Sequence, residues 1–360
     1  MFKNFKSVSK CAYGRGSFAK LGEMIAEKRS ENNRYFIFLI DHYFEDKADF
    51  KARIPAESGD VVEFIYTSGE EPKTSQIDEM RDRFLAEKGL PAGVVGIGGG
   101  SIMDIAKALS LMLTNEGSSV QYQGLNLIKK PGVYHVGVPT ISGTGAEVSM
   151  TAVLTGPTKK LGLKCDWTVF DQIVLDPDLI ATVPKNQWFY TGMDTYIHCV
   201  ESMNGHLKNT FSEAYGYKAI DLCRDVYLNE GFGQNPLNDE KLMVASYFGG
   251  LSLTYSEVGV CHALSYGLSY VFGTRHCLAN CIIFPHLAEF YPEGVAKFNQ
   301  MIVQNEIDLP KNLSKNWTDE QIEKMIDVCW ALTHMWRHAL GEDWEQKLTR
   351  QKIKDLYLMM

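Results

Sequence analysis

The 360-residue sequence predicts two domains of different class, an N-terminal α/β domain on a parallel sheet and a C-terminal all-helical domain. Three observations predict this. Short β-rich runs alternate with helical patterns through the first half. A triple glycine at 98–100 follows one of those runs and opens a helical pattern. From Lys185 onward strand-like runs give way to amphipathic or uniformly apolar helical patterning. Asp176-Pro177-Asp178 combines a turn with a helix start and marks the seam, so the domains are expected at 1–175 and 176–360.

Taken in order, RYFIFLI (34–40) reads as a buried strand that ends at Asp41. DVVEFIY (60–66) is a second strand, followed by a helix from about Thr74 to Glu87. AGVVGIGGGS (92–101) is a third strand running into the glycine turn, with a helix starting near Ile102. YHVGVPT (134–140) is the fourth. Strands and helices in alternation form the Rossmann-like architecture of dinucleotide-binding domains, and the default ligand site is a cleft beside the second domain. No internal repeat or low-complexity tract interrupts the pattern.

Composition narrows the function classes. A hydrophobic content of 45% with 22% charged residues is ordinary for a soluble globular protein. The net charge of -8, with basic residues scattered, gives no electrostatic footprint for nucleic acid. No run reaches the roughly 18 to 20 apolar residues that span a bilayer, and the first residues carry no signal-peptide core. The eight cysteines are dispersed without a CxxC pair, so reduced thiols in a cytoplasmic protein are expected.

The first chemical signal is VVGIGGGSIMDIAKA. Glycines at a strand-to-helix turn let the backbone approach a ligand, and the following helix N-terminus favours a phosphate. It is not the usual GxGxxG fingerprint, and a tight turn without ligand is the competing reading. VPTISGTGAEVS (138–149) adds hydroxyls at Thr140, Ser142 and Thr144 beside exposed amides. Asp41, at a strand's carboxyl end, suits the acid that accepts from an adenosine ribose and repels a 2′-phosphate; the alternative is a strand-end turn residue. Together they favour NAD over NADP.

The second signal is GMDTYIHCVES, which puts Asp194 and His198 four residues apart on one helical face, close enough to chelate one ion. CHALSYGLSYVFGTRH supplies His262 and His276. One carboxylate and three imidazoles suit Zn2+ or Fe2+, and such an ion lowers the pKa of an alcohol. Spacing alone proves little. His334 and His338 share the i,i+4 interval in ALTHMWRHAL, without a carboxylate in phase, and read as structural.

GGGSIMDIAK (98–107), PTISGTGAEVS (139–149), GMDTYIHCVES (192–202) and HALSYGLSYVFGTRH (262–276), in this order, closely resemble the iron-dependent (group III) alcohol dehydrogenases. The resemblance spans nearly the whole chain from YGRGSFAKL (13–21). It implies a dehydroquinate synthase-like fold, with metal ligands at Asp194, His198, His262 and His276. It also implies NAD contacts at Asp41, Gly98, Gly99, Ser101, Asp104, Thr140, Thr144 and Lys160. A lyase like dehydroquinate synthase is disfavoured by segments 98–107 and 192–202.

Two departures bear on substrate. Typical members carry a histidine four residues after the third ligand; here it is Tyr266, whose ordinary pKa near 10 makes it a poorer proton relay. Arg275, before the last ligand, suits a substrate carboxylate, with a solvated charge as the alternative. The resemblance extends to oxidation of the C8 hydroxyl of the sugar acid 3-deoxy-D-manno-octulosonate (Kdo) in lipopolysaccharide biosynthesis, with the aldehyde passing to a PLP-dependent aminotransferase. That reaction is described as an oxidase reaction, but no flavin signal is present and NAD is the expected acceptor. The alternatives are an NAD-dependent dehydrogenase of a small alcohol or diol, and a catalytically silent metal- and nucleotide-binding protein. A homodimer is expected.

Overall fold

The computed structural model describes residues 5–32, 34–67 and 71–360, which form two compact units. The first comprises residues 1–141 and 146–182, the second residues 142–145 and 183–360. Residues 176–182, expected with the helical half, thus belong to the first unit, and the short loop 142–145 belongs to the second.

Among the described residues the strands are β1 (Lys10–Tyr13), β2 (Phe36–Asp41), β3 (Val61–Ile65), β4 (Gly93–Gly98), β5 (Gly124–Leu125), β6 (Tyr134–Pro139), β7 (Thr151–Thr155), β8 (Lys160–Lys164) and β9 (Gln172–Leu175). Helices of eight residues or more in the first unit are α1 (Leu21–Asn32), α2 (Thr74–Lys88) and α3 (Gly100–Met112). The main sheet is wholly parallel in the order β1-β9-β6-β4-β2-β3. Its central strands are apolar runs because helices cover both faces of such a sheet. Phe36, Phe38, Ile40, Val95, Ile97, Val136 and Val138 pack with Phe18, Leu21 and Ile25 in one buried cluster. Beside this sheet, β7 and β8 form an antiparallel hairpin that β5 joins in parallel.

Sheet order places β2 beside β4, and the chain leaves β2 toward β3 but leaves β4 toward β6, in opposite directions. The carboxyl ends of β2 and β4 therefore flank a topological switch point, where open α/β sheets bind ligands. Asp41 ends one strand and Gly98 the other.

The second unit is helical: α4 (Lys185–Asn204), α5 (Thr210–Tyr227), α6 (Pro236–Tyr255), α7 (Val260–Phe272), α8 (His276–Ile283), α9 (Pro292–Gln304), α10 (Asp319–Trp330), α11 (Thr333–Leu340) and α12 (Arg350–Leu358). Capping boxes start α5, from Asn209, and α10, from Thr318. Helix α4 packs against α5, α6, α7 and α8, and its whole stretch 191–202 is buried. A helix buried all round is a core element, so polar side chains on it need partners inside the protein. No helix among the described residues is long and apolar enough to cross a membrane, and all eight cysteines are free.

Candidate functional site

Helix α4 carries Asp194, His198 and Glu201 at positions i, i+4 and i+7, one stripe of a 3.6-residue helix. His262 is the third residue of α7. That helix ends on Gly273 in the left-handed conformation, with its N–H on Ser269 O, and this turns the chain back so that α8 begins at His276. Three helices thus deliver four side chains to one point.

The Nε2 atoms of His262, His276 and His198 lie 3.4, 3.8 and 3.9 Å from Asp194 Oδ1. All four ligand atoms fall within 4.8 Å of one another. Ligands at about 2.0–2.2 Å from a tetrahedral ion are themselves about 3.4 Å apart, so the donor set fits a divalent ion with small adjustments. Asp194 is fully buried, His198 and His262 nearly so, and His276 is 24% exposed, leaving this edge open.

Burial alone would raise the Asp194 pKa, but His198, His276 and a hydrogen bond from His262 outweigh it and hold the carboxyl well below the usual carboxylate range. Burial drives His198 down to about 4 against the pull of Asp194, so its imidazole is neutral, the form that ligates metal. His262 is pushed up to about 9: burial opposes its charge, but Glu201 and Asp194 favour it more. Its Nδ1 lies 2.5 Å from Glu201 Oε2. Asn280, one turn after His276, donates from Nδ2 to Asp194 Oδ1 at 2.6 Å and lies 3.1 Å from His262 Nε2. Sequence reasoning missed both Glu201 and Asn280. Their signal is phase: each lies on the helical face of an expected ligand.

Tyr266, one turn after His262, is buried, and its ring meets that of His276 edge-on at 5.8 Å. Arg275 is exposed at the N-cap of α8, where Nη1 lies 3.4 Å from Gln187 Oε1. The His334/His338 pair takes no part in the cluster. His338 is fully buried, its Nδ1 accepts from Leu207 N–H at 3.2 Å and its Nε2 lies 3.0 Å from Glu201 O.

In the first unit, Asp41 Oδ1 accepts from Tyr43 N–H and Oδ2 from the Thr67 hydroxyl, at 3.0 and 3.1 Å. A side chain at Gly98 would strike Ile102 at 2.5 Å and approach the Asp41 Cβ at 3.2 Å, so only glycine lets this turn close against the acid. Gly99 caps α3. Ser101, in its first turn, lines a cavity of about 270 Å³ with Tyr66, Thr67, Glu71 and Glu79. Thr140 N–H donates to Gly98 O at 2.9 Å, joining the two glycine- and hydroxyl-rich turns. Thr144 belongs to the second unit, where Gly143 O accepts from the Thr195 hydroxyl at 2.6 Å.

Lys160 is buried in β8 with Nζ 3.3 Å from Glu71 Oε1. Burial pushes the Asp104 carboxyl above the usual range, although Lys107 and the Val153 N–H pull it down. Lys107, absent from the sequence-derived site, is fully buried and donates to Ser149 O and Thr151 O at 2.9 and 3.0 Å, tying α3 to the loop before β7 and to its first residue.

With the geometry in hand, comparison with known proteins identifies the class. Residues 9–177 match the family Iron-containing alcohol dehydrogenase, and residues 188–357 match Fe-containing alcohol dehydrogenase family, C-terminal. The chain belongs to the iron-containing alcohol dehydrogenase family. It is similar to the NAD-dependent methanol dehydrogenase of Bacillus methanolicus, 29% identical over 65% of this chain and 62% of that protein. It is also similar to the sulfoacetaldehyde reductase of Bilophila wadsworthia, 30% identical over 55% of this chain and 52% of that one. These alignments span only about half to three fifths of the relatives' lengths. The solved structure of a 1,3-propanediol oxidoreductase shares the fold, with a TM-score of 0.84 and 20% identity over 99% of both proteins.

Proposed function

We propose that the protein is a metal-dependent, NAD-linked dehydrogenase that oxidises a primary alcohol to an aldehyde, with small alcohols or diols as its substrates. The observation that carries this is the convergence of Asp194 Oδ1 with three imidazole Nε2 atoms in a member of this family. The relatives named for methanol and, in Klebsiella pneumoniae, for 1,3-propanediol, each 29% identical to this chain, support small substrates.

In this reading Asp194, His198, His262 and His276 hold one Fe2+ or Zn2+. When bound, such an ion polarises the alcohol oxygen and makes its proton easier to lose. Tyr266 offers a hydroxyl to hydrogen-bond the substrate, a role its ring position beside His276 allows. In the first unit, the N–H groups that open α3 after Gly98 and Gly99 suit the pyrophosphate, with Ser101 and Asp104 in the same turn. Thr140, Thr144 and Lys160 complete the proposed dinucleotide contacts. Asp41 keeps lone pairs for a ribose hydroxyl and repels a 2′-phosphate. The reaction transfers a hydride from the alcohol carbon to NAD and releases one proton. Free cysteines suit a reducing, cytoplasmic compartment.

A sugar-acid substrate is the second reading, favoured by one observation: Arg275 is exposed directly before His276 and could pair with a carboxylate. Coupling to an aminotransferase belongs to this reading, whereas a homodimer is proposed for either substrate. Metal-loaded protein given NAD with methanol, propanediol, butanol and Kdo, followed at the nicotinamide absorbance, separates the two. Small alcohols should turn over with higher kcat/KM than Kdo; the reverse order would restore the sugar acid. Tight metal and NAD binding without reduction of NAD by any alcohol would leave only a binding role.

A further inference from the structure

We infer that Glu201 is the positioning residue of the metal centre: it fixes the tautomer and ring orientation of His262 and adds a second buried negative charge to the site. This rests on the metal-centre reading above.

Glu201 has a fully buried side chain on the same stripe of α4 as Asp194 and His198. An unpaired carboxylate there would be strongly disfavoured, so its partners identify its use. Oε2 takes His262 Nδ1 at 2.5 Å. Oε1 accepts from the Cys261 N–H at 2.6 Å and from the Tyr291 hydroxyl at 3.3 Å. No Lys or Arg pairs with Glu201 among the described residues; its ion-pair partner is His262. With Nδ1–H committed to a carboxylate, Nε2, the atom 3.4 Å from Asp194 Oδ1, is the nitrogen that would give up its proton and offer a lone pair to an ion.

The carboxylate is itself held from two directions. The Tyr291 hydroxyl that donates to Oε1 also accepts from Val260 N–H at 3.2 Å, so the first turn of α7 closes onto Glu201. The α7 N-terminus favours this negative charge. On the backbone, His338 Nε2 meets Glu201 O at 3.0 Å, while Nδ1 of the same ring accepts from Leu207 N–H. Charge completes the case. Asp194 and Glu201 together supply two negative charges, which balance a divalent cation among neutral imidazoles.

The test uses full-length protein stripped of metal and titrated with Zn2+ against a chromophoric chelator. Glu201→Gln should bind Zn2+ about 10- to 100-fold more weakly than wild type, the usual effect of losing a carboxylate behind a ligating histidine. Its Co2+-loaded form should show shifted d–d bands, because the His262 ring is no longer held. Tyr357→Phe serves as the packing control: it removes the hydroxyl that donates to Leu264 O and so loosens α7 without touching Glu201 or His262, and affinity should stay near that of the wild type while the melting temperature falls. If Glu201→Gln does not fold, Glu201→Asp, which retracts the carboxylate from His262, takes its place with the same expected direction. Wild-type affinity and an unshifted Co2+ spectrum in the Glu201 variant would overturn the inference, as would equal losses in Tyr357→Phe and the Glu201 variant. Failure of the wild type to bind Zn2+ would instead sink the metal-centre reading.

Discussion

Asp194/His198 on α4 and His334/His338 on α11 share an i,i+4 interval, and both contain a buried histidine, yet they do different things. Across from the first pair lie His262 and His276, whose Nε2 atoms close on Asp194. Across from His338 lie a backbone N–H and a backbone carbonyl, which take both ring nitrogens. The interval brings two side chains onto one face; what stands opposite that face decides between ligation and bracing. The two pairs also meet at Glu201, whose carboxylate serves His262 while its carbonyl receives His338.

The comparison breaks most easily at its ligand end. Asp194→Asn or His262→Ala should lower kcat/KM on the order of 10³-fold, since polarisation by an ion is worth several kcal/mol. Elemental analysis should show the ion lost from both, and normal metal content in either would refute the assignment. At the bracing end, His338→Ala should cost about 2–4 kcal/mol by leaving a cavity and two buried backbone groups unpaired. Denaturant unfolding reads that loss, and metal content should remain that of the wild type. If His338→Ala instead loses its ion while staying folded, the division between the pairs fails.

Smaller effects sharpen the picture around it. Tyr266→Phe keeps the ring against His276 and removes only the hydroxyl, so kcat should fall about tenfold, less than for a histidine relay. Unchanged steady-state rates would mean that the hydroxyl handles no proton. Asp41→Ala should shift the ratio of kcat/KM for NAD over NADP about tenfold toward NADP. The least effect is expected at Asp171. Burial opposes its charge, but hydrogen bonds and charge from His135 hold its pKa below the ordinary carboxylate value. Its stabilisation is thus present above the unfolded-state pKa near 4 and is lost as pH falls through the lower folded value. The melting-temperature gap between wild type and Asp171→Asn should hold down to about pH 4 and narrow only below it.

What the sequence made legible follows from burial. Strands β2, β4 and β6 lie inside the sheet and read as continuous apolar runs, and β3 as a β-rich run at its edge. β1 is a four-residue edge strand with mostly exposed residues, and the β7–β8 hairpin includes Lys160 and Lys164, so neither showed a strand pattern. Asp194 and His198 were legible because a helix puts their spacing on the page. Glu201 was not: its partner His262 lies 61 residues away, and a glutamate on a helix reads as surface. Lys107 was hidden in the same way, since only folding reveals that its ammonium is buried on the Ser149 and Thr151 carbonyls. The loop 142–145 joins the helical unit through Thr195 and Ser246, which no local pattern announces.

The most direct measurement is reduction of NAD by a small alcohol or diol before chelation, after chelation, and after return of Fe2+ or Zn2+. The account predicts turnover that chelation abolishes and the added ion restores, with Asp194→Asn silent throughout. Turnover indifferent to the ion, or none with any alcohol after reloading, would contradict it.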